Sequence, residues 1–214
     1  MKERPILFKA EMVRAILDGS KTQTRRVMKP QPDDDAIIAV GEIGTSRGAA
    51  FVRYPMEGSI TRRVPCPYGQ PGDRLWVRET CRAEELEDGN DGVRYLADNA
   101  WRVIEDTPDA AMSWVALNFY GADHRKVSRG NVVPSIHMPR WASRITLEIV
   151  GVRVERLHDI SEEDAIAEGV GGNITIAPCF AIERYRHLWE SINGKGSWDA
   201  NPWVWVVEFK RIEP

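Results

Sequence analysis

Apolar residues recur along this chain with two different spacings, and each spacing predicts one type of element. Four of them fall on one side of a helix that we predict over residues 10 to 18, namely Met12, Val13, Ile16 and Leu17. Gly19 follows at once, where a left-handed residue commonly ends a helix. A second helix is predicted over about 179 to 192, with an apolar side made of Phe180, Tyr185, Leu188, Trp189 and Ile192.

Alternating positions predict the strands. Residues 50 to 54 and 60 to 64 form a predicted hairpin, and a second hairpin is predicted around residues 90 to 92. In the predicted strand 74 to 79, Leu75 and Val77 share one face. The opposite face carries two arginines and a tryptophan and could meet a ligand: Arg74, Trp76 and Arg78.

Two further strands are predicted near the end of the sequence. The long one follows Arg144, and its apolar residues change from odd to even positions at Gly151, which indicates a bulge. The other, 202 to 209, is apolar on both faces and should be central in a sheet or close it. Between the predicted elements, residues 82 to 133 show irregular, turn-rich sequence, which we interpret as an insertion that could cover a site.

A short helix is predicted after Ser161. Ser161 and Asp164 resemble a capping box, and Gly169 marks the end of the helix. Glu168 then lies in the last turn, where the helix dipole disfavours a negative charge. A carboxyl group in that place suits the uptake and release of a proton.

Length and cysteine content narrow the class of protein. A chain of 214 residues can bury a sizeable core, and we expect a single domain. Its three cysteines form no Cys-x-x-Cys pair, which argues against a disulfide framework and against a zinc ribbon. No apolar run reaches the roughly 18 residues that a membrane span needs, so we expect a cytoplasmic protein without a membrane partner.

The net charge of −3 argues against a protein that coats a nucleic-acid polymer. The charge is uneven, however, because residues 1 to 30 hold three acidic residues against eight basic ones: Lys2, Arg4, Lys9, Arg14, Lys21, Arg25, Arg26 and Lys29. This local excess could serve a small anionic or nucleoside-like ligand.

The segment 19 to 26 brings an ammonium, hydroxyl groups and two guanidiniums together in a few residues: Gly-Ser-Lys-Thr-Gln-Thr-Arg-Arg. A lysine beside a hydroxyl can act as a base for that nucleophile when the lysine is desolvated. The alternative is a surface strand whose basic face lies in water. In an ideal extended strand Lys21 and Thr24 point to opposite faces, so joint action requires a turn or bulge between them.

Metal and cofactor chemistry has little support in the sequence. The four histidines show no ligand spacing: His124, His137, His158 and His187. The phosphate-binding patterns Gly-x-x-x-x-Gly-Lys-Ser/Thr and Gly-x-Gly-x-x-Gly are missing as well. We therefore expect no metal and no cofactor. Trp76 and Trp141 are flanked by arginines, and each could either stack a base or pack in the core.

These motifs, in this order, resemble the ASCH family of compact β-barrel domains in the PUA-like superfamily. The resemblance rests on Gly-x-Lys-Thr-x-Thr-Arg at 19 to 25, Pro-Gly-Asp at 71 to 73, Ile-Ser-Glu-Glu-Asp-Ala-x-x-Glu-Gly at 160 to 169 and the final Trp-Val-Val-Glu-Phe strand. The resemblance covers about residues 5 to 30, 65 to 80 and 143 to 212. The chain is longer than the smallest members of the family, and its layout is similar to the version found in phages and prophages. It implies an α+β fold, a PUA-like mixed barrel with short flanking helices, spanning 1 to 214 with insertions at about 33 to 64 and 82 to 133.

The resemblance also implies a function. Small bacterial members are amidohydrolases that deacylate N4-acetylcytidine with a Lys, a Thr and a Glu, which match Lys21, Thr24 and Glu168. The expected activity is thus hydrolysis of a non-peptide C–N bond without a metal, on a modified nucleoside or nucleobase, with no obligate protein partner. An RNA-binding module without catalysis and a ribonuclease are the alternatives that the family offers.

Five residues are candidates for substrate binding: Arg25, Arg26, Trp76, Arg140 and Trp141. Glu79 is the next carboxylate to test should Glu168 not act.

Overall fold

The computed structural model describes residues 1 to 32, 37 to 40, 49 to 54, 60 to 121, 130 to 170 and 180 to 212. Its strands are β1 Glu3–Leu7, β2 Gln23–Val27, β3 Ile37–Val40, β4 Ala49–Tyr54, β5 Ile60–Pro65, β6 Arg74–Arg78, β7 Cys81–Glu85, β8 Asp91–Tyr95, β9 Trp101–Val103, β10 Thr146–Arg156 and β11 Trp203–Ile212. Its helices are α1 Ala10–Leu17, α2 Pro108–Asn118, α3 Glu162–Ala167 and α4 Ala181–Asn193.

The chain forms two compact units. Unit 1 comprises Met1–Arg4, Ala15–Leu75 and Thr146–Pro214, and unit 2 comprises Pro5–Arg14 and Trp76–Ile145. The α+β class expected from the sequence is confirmed, since helices accompany a mixed five-stranded sheet and two three-stranded sheets. Among the described residues no helix is long and apolar enough to cross a membrane.

The five-stranded sheet has the order β1-β6-β10-β11-β2. Strands β10 and β11 pair antiparallel over ten residue pairs, and the register shifts between Ile149 and Gly151, so the bulge predicted at Gly151 is confirmed. Strand β11 is central, as predicted, because β2 pairs along its other edge. In the described part of the chain β1 and β2 are the two edges, and the sheet is not closed into a barrel.

Unit 1 places two helices on one face of β11. Val204 and Val206 of β11 belong to a buried cluster with Ala165 of α3 and with Tyr185 and Trp189 of α4. Both helices were predicted, and α3 ends as expected at Gly169, which has a φ of +87°. The predicted hairpin of β4 and β5 is present in a separate sheet with β3.

Unit 2 is more regular than its sequence indicated. Strands β7, β8 and β9 form an antiparallel sheet, and the predicted hairpin around residue 91 is its β7–β8 pair. Trp114 and Leu117 of α2 lie in one buried cluster with Val93 and Tyr95 of β8. The interpretation of 82 to 133 as irregular sequence was therefore wrong for the residues that the structure describes.

Candidate functional site

Lys21 lies in the interior of unit 1 with its ammonium fully enclosed. Its side chain has no accessible surface, and that of Glu168 keeps 1%. The ammonium donates to Glu168 Oε2 at 2.8 Å, to the Glu168 carbonyl at 2.9 Å and to the Gln23 carbonyl at 2.8 Å. Three acceptors match the three N–H groups of an ammonium, so Lys21 is held in one orientation.

The backbone brings these two residues together from distant parts of the sequence. After α1 the chain turns at Gly19, and the Lys21 amide then donates to the Ala15 carbonyl at 2.9 Å. The Thr22 amide donates to the carbonyl of Ala167, the last residue of α3. Lys21 and Glu168 form an antiparallel β-bridge. A Cβ on Gly169 would lie 2.8 Å from Ala15 Cβ and 3.0 Å from Lys21 Cβ, so only glycine allows this approach.

Glu168 is held by two cations. Besides Lys21, Arg25 Nη1 lies 3.4 Å from Oε1. The carboxylate also interacts electrostatically with Tyr185 of α4. Burial, together with the charge of Glu168, raises the pKa of Tyr185 well above its ordinary value, which keeps the phenol protonated as a donor. The carboxylate is thereby fixed on both oxygens.

Arg25 extends the site into a charged network on the surface of unit 1. Its Nη2 donates to Asp164 at 2.8 Å and to Glu155 at 3.0 Å. Arg153 also binds Asp164 and Glu155, and it forms a further ion pair with Glu208. Bidentate and shared contacts of this kind fix a guanidinium more firmly than a single ion pair does.

The pKa of Lys21 is lowered. Burial is the largest cause, because it disfavours the charged ammonium, while the Glu168 carboxylate opposes the shift. The neighbouring guanidiniums of Arg26 and Arg25 lower the pKa of Lys21 further. A lysine of this kind loses its proton more readily than one in water, which is what a base requires.

Thr24 is buried one position beyond the Gln23 carbonyl that binds the Lys21 ammonium. Gln23 and Arg25 both contact Asp164, so their side chains face α3. Strand alternation turns Thr24 to the opposite face, where it lies across from Val207 of β11. The ammonium therefore contacts the peptide group that joins Gln23 to Thr24, whereas the side chains of Lys21 and Thr24 leave the backbone on different sides.

The alternative of a solvated basic strand was wrong. Lys21, Thr24 and Arg25 are each at most 3% exposed, and Arg26 is half-buried. The partners of Lys21 and Arg25 are carboxylates that come from 130 to 147 residues later in the sequence. Tyr185 was predicted only as part of the apolar side of a helix, and its contact with Glu168 was missed.

The other predicted binding residues lie in unit 2. Trp76 is buried, with the guanidiniums of Arg78 and Arg140 at 4.8 and 5.8 Å from its ring centroid. These cations lie over the ring at distances typical of cation–π contacts. Trp141 is half-buried and packs against the apolar cluster of unit 2.

Glu79, the reserve carboxylate, is also buried in unit 2. Arg144 binds both of its oxygens, at 2.8 and 2.9 Å, and also contacts Asp98. Burial raises the pKa of Glu79, and Arg144 opposes that effect. The guanidinium of Arg144 also lies 4.1 Å from the ring centroid of Tyr95. Glu79 thus forms a separate, fully paired cluster.

Within the described ranges, no group of three or more His, Cys, Asp or Glu residues is placed to hold a metal ion. Comparison of the chain with protein-family models, with curated proteins and with solved structures finds no match.

Proposed function

We propose that this protein is an amidohydrolase that removes the acyl group from N4-acylated cytosine or cytidine without a metal ion. The observation that carries this proposal is the enclosed pair of Lys21 and Glu168, in which burial lowers the pKa of the lysine. A buried pair of this kind provides a base and a proton carrier at one place, and amide hydrolysis needs both.

We also propose that the chain is a member of the ASCH family in the PUA-like superfamily. Support comes from the spatial meeting of the two motifs on which the resemblance rests. The lysine of the segment 19 to 25 forms its ion pair with the glutamate that precedes Gly169. The strand that follows this lysine pairs with the final apolar strand β11.

In the proposed reaction the Lys21 ammonium first passes a proton to the Glu168 carboxylate, and the neutral amine then takes the proton from an attacking hydroxyl. The oxygen adds to the acyl carbon, and the C–N bond to the cytosine amine then breaks. Glu168, which is hydrogen-bonded to Lys21, passes the proton to the departing nitrogen, so that proton uptake and release balance. Low local dielectric strengthens the electrostatic interactions that stabilise the oxyanion.

The attacking hydroxyl comes either from Thr24 or from a water molecule that Lys21 binds. Thr24 lies close along the backbone, but strand alternation points its side chain away from α3. With Thr24 as nucleophile an acyl-enzyme forms and is then hydrolysed. Mass spectrometry of the quenched reaction separates the two routes, since only the first adds the mass of an acyl group to the protein.

The experiment that tests the proposal incubates purified protein with N4-acetylcytidine in the presence of EDTA and measures cytidine by chromatography. We expect cytidine to be released at a rate proportional to protein concentration. The rival function is an RNA-binding module. Absence of turnover, combined with tight binding of structured RNA that weakens steeply with salt, would replace the proposal with that rival.

A further inference from the structure

Unit 2 contains a groove that the proposed reaction does not use. It has a volume of about 680 Å³ and lies between the end of β9, the first turns of α2 and the short turn Arg140–Ala142. We call it the α2 groove, and its lining includes Arg102, Glu105, Thr107, Asp109 and Trp141. Small-molecule sites in proteins commonly have volumes of roughly 300 to 1,000 Å³.

An aromatic ring and an anchored guanidinium form one part of the α2 groove. Trp141 is half-buried and rests on the apolar cluster of unit 2. Arg102 donates to the carbonyls of Trp141, at 2.8 Å, and of Ser143, at 3.3 Å. A guanidinium has five N–H groups, so these two bonds fix its plane and leave donors for a ligand.

Hydrogen-bond acceptors also line the α2 groove. Glu105 and Asp109 are exposed carboxylates, and Thr107 adds a hydroxyl whose oxygen already accepts from the Ala110 amide at 3.2 Å. Two carboxylates against one guanidinium give the lining a net negative charge. A phosphate group would therefore be repelled, whereas an amino group would find acceptors.

From this combination we propose that the α2 groove binds a nucleobase or nucleoside that carries an exocyclic amine, such as cytosine. The flat ring stacks on Trp141, the amine donates to Glu105 or Asp109, and a ring carbonyl or nitrogen accepts from Arg102. This inference goes beyond the proposed amidohydrolase function and does not depend on it, since the residues involved are separate from Lys21 and Glu168.

Calorimetric titration of the full chain with three probes tests the chemistry of the groove. We expect cytidine to bind, uridine to bind more weakly because a carbonyl replaces its amine, and cytidine 5′-monophosphate to bind more weakly because of its charge. Equal binding of all three probes, or no binding of cytidine, would overturn the proposal. The titration involves no turnover, so its failure leaves the amidohydrolase proposal untouched.

Three variants locate the binding in the groove. Trp141→Leu should weaken cytidine roughly 5- to 100-fold, the range that corresponds to the loss of one aromatic stacking contact. Glu105→Gln, at an exposed position where folding is not at risk, should reduce the difference between cytidine and uridine. Met112→Ala, on the same helix and 73% exposed but outside the groove, is the matched control and should leave binding unchanged. Unchanged cytidine binding in both Trp141→Leu and Glu105→Gln would place the ligand elsewhere and refute the inference.

Discussion

The ammonium of Lys21 lies 2.8 Å from Oε2 of Glu168, and 147 residues of sequence separate the two. Removing one member of a buried ion pair leaves an uncompensated charge, which typically costs about 3 to 5 kcal/mol. Lys21→Met should therefore lower the free energy of unfolding by about that amount. The double variant Lys21→Met/Glu168→Leu should recover most of the loss, because no charge then remains buried alone. Urea unfolding measures the stability of both variants, and a double variant that is no more stable than Lys21→Met would contradict the interpretation.

A solvated surface strand at 19 to 26, the alternative that the sequence left open, would give a different expectation for Lys21. Its substitution would change the stability by less than about 1 kcal/mol, as surface substitutions usually do. The burial of Lys21 and of its partner reverses that expectation. Loss of activity in Lys21→Met alone is therefore not informative unless the fold is measured in the same variant.

Gly169 controls how closely the end of α3 approaches Lys21. Gly169→Ala adds a Cβ that meets both Ala15 and Lys21, at a residue with φ of +87°. Gly72→Ala is the matched control, since its φ is +88° and its new Cβ meets nothing within 4 Å. The control should lose only the backbone cost of about 1 to 2 kcal/mol. Gly169→Ala should lose a further ~1 to 3 kcal/mol through overpacking and should also reduce turnover. Equal losses in the two variants would show that the close approach does not matter.

Tyr185 acts, in this account, as a positioning residue for Glu168. Tyr185→Phe keeps the ring in the core and removes the hydroxyl whose pKa the Glu168 carboxylate helps to raise. We expect turnover to fall while KM stays near the wild-type value. Tyr95→Phe is the control, because the Tyr95 hydroxyl is also buried but donates to the Ala142 carbonyl in unit 2. Each variant should lose roughly 0.5 to 3 kcal/mol of stability, so a fall in kcat common to both would contradict a specific role.

Asp164 gives the charged network a predictable pH dependence. Burial raises the pKa of Asp164, but the hydrogen bond from Gln23 and the charges of Arg25 and Arg153 outweigh it, and the pKa lies below its ordinary value of 3.8. In acid the unfolded state therefore binds more protons than the folded state does. The contribution of Asp164 to stability is present above pH 3.8, and it is lost as the pH falls through the lower pKa that Asp164 has in the folded state. The stability difference between wild type and Asp164→Asn should shrink in that window. A difference that does not change with pH in denaturant titrations would exclude this linkage.

Local features of the fold were predictable because local sequence determines them. The ends of α1 and α3 follow from apolar spacing and from the positive φ of Gly19 and Gly169. The bulge at Gly151 follows from the change in apolar alternation. The position of Glu168 beside the helix end was predicted for the same reason. The three-residue strand β9 was not, since so short a segment carries too little periodicity.

The burial of the site could not be read from local sequence. Charged residues at 21 and 25 favour a surface strand unless carboxylates from a distant segment cover them, and spacing does not reveal such partners. Tyr185 did carry a signal that the sequence interpretation did not use. A tyrosine on the apolar side of a helix has a hydroxyl that needs a polar partner when buried, and here Glu168 is the carboxylate that interacts with it.

The most direct test of the central claim is the turnover of N4-acetylcytidine by the double variant Lys21→Met/Glu168→Leu, measured beside the wild type under the same conditions. We predict that the wild type releases cytidine and that the double variant, although folded and close to the wild type in stability, releases none above the uncatalysed rate. A folded double variant that hydrolyses the substrate at the wild-type rate would show that the buried pair only stabilises the fold, and would contradict the account.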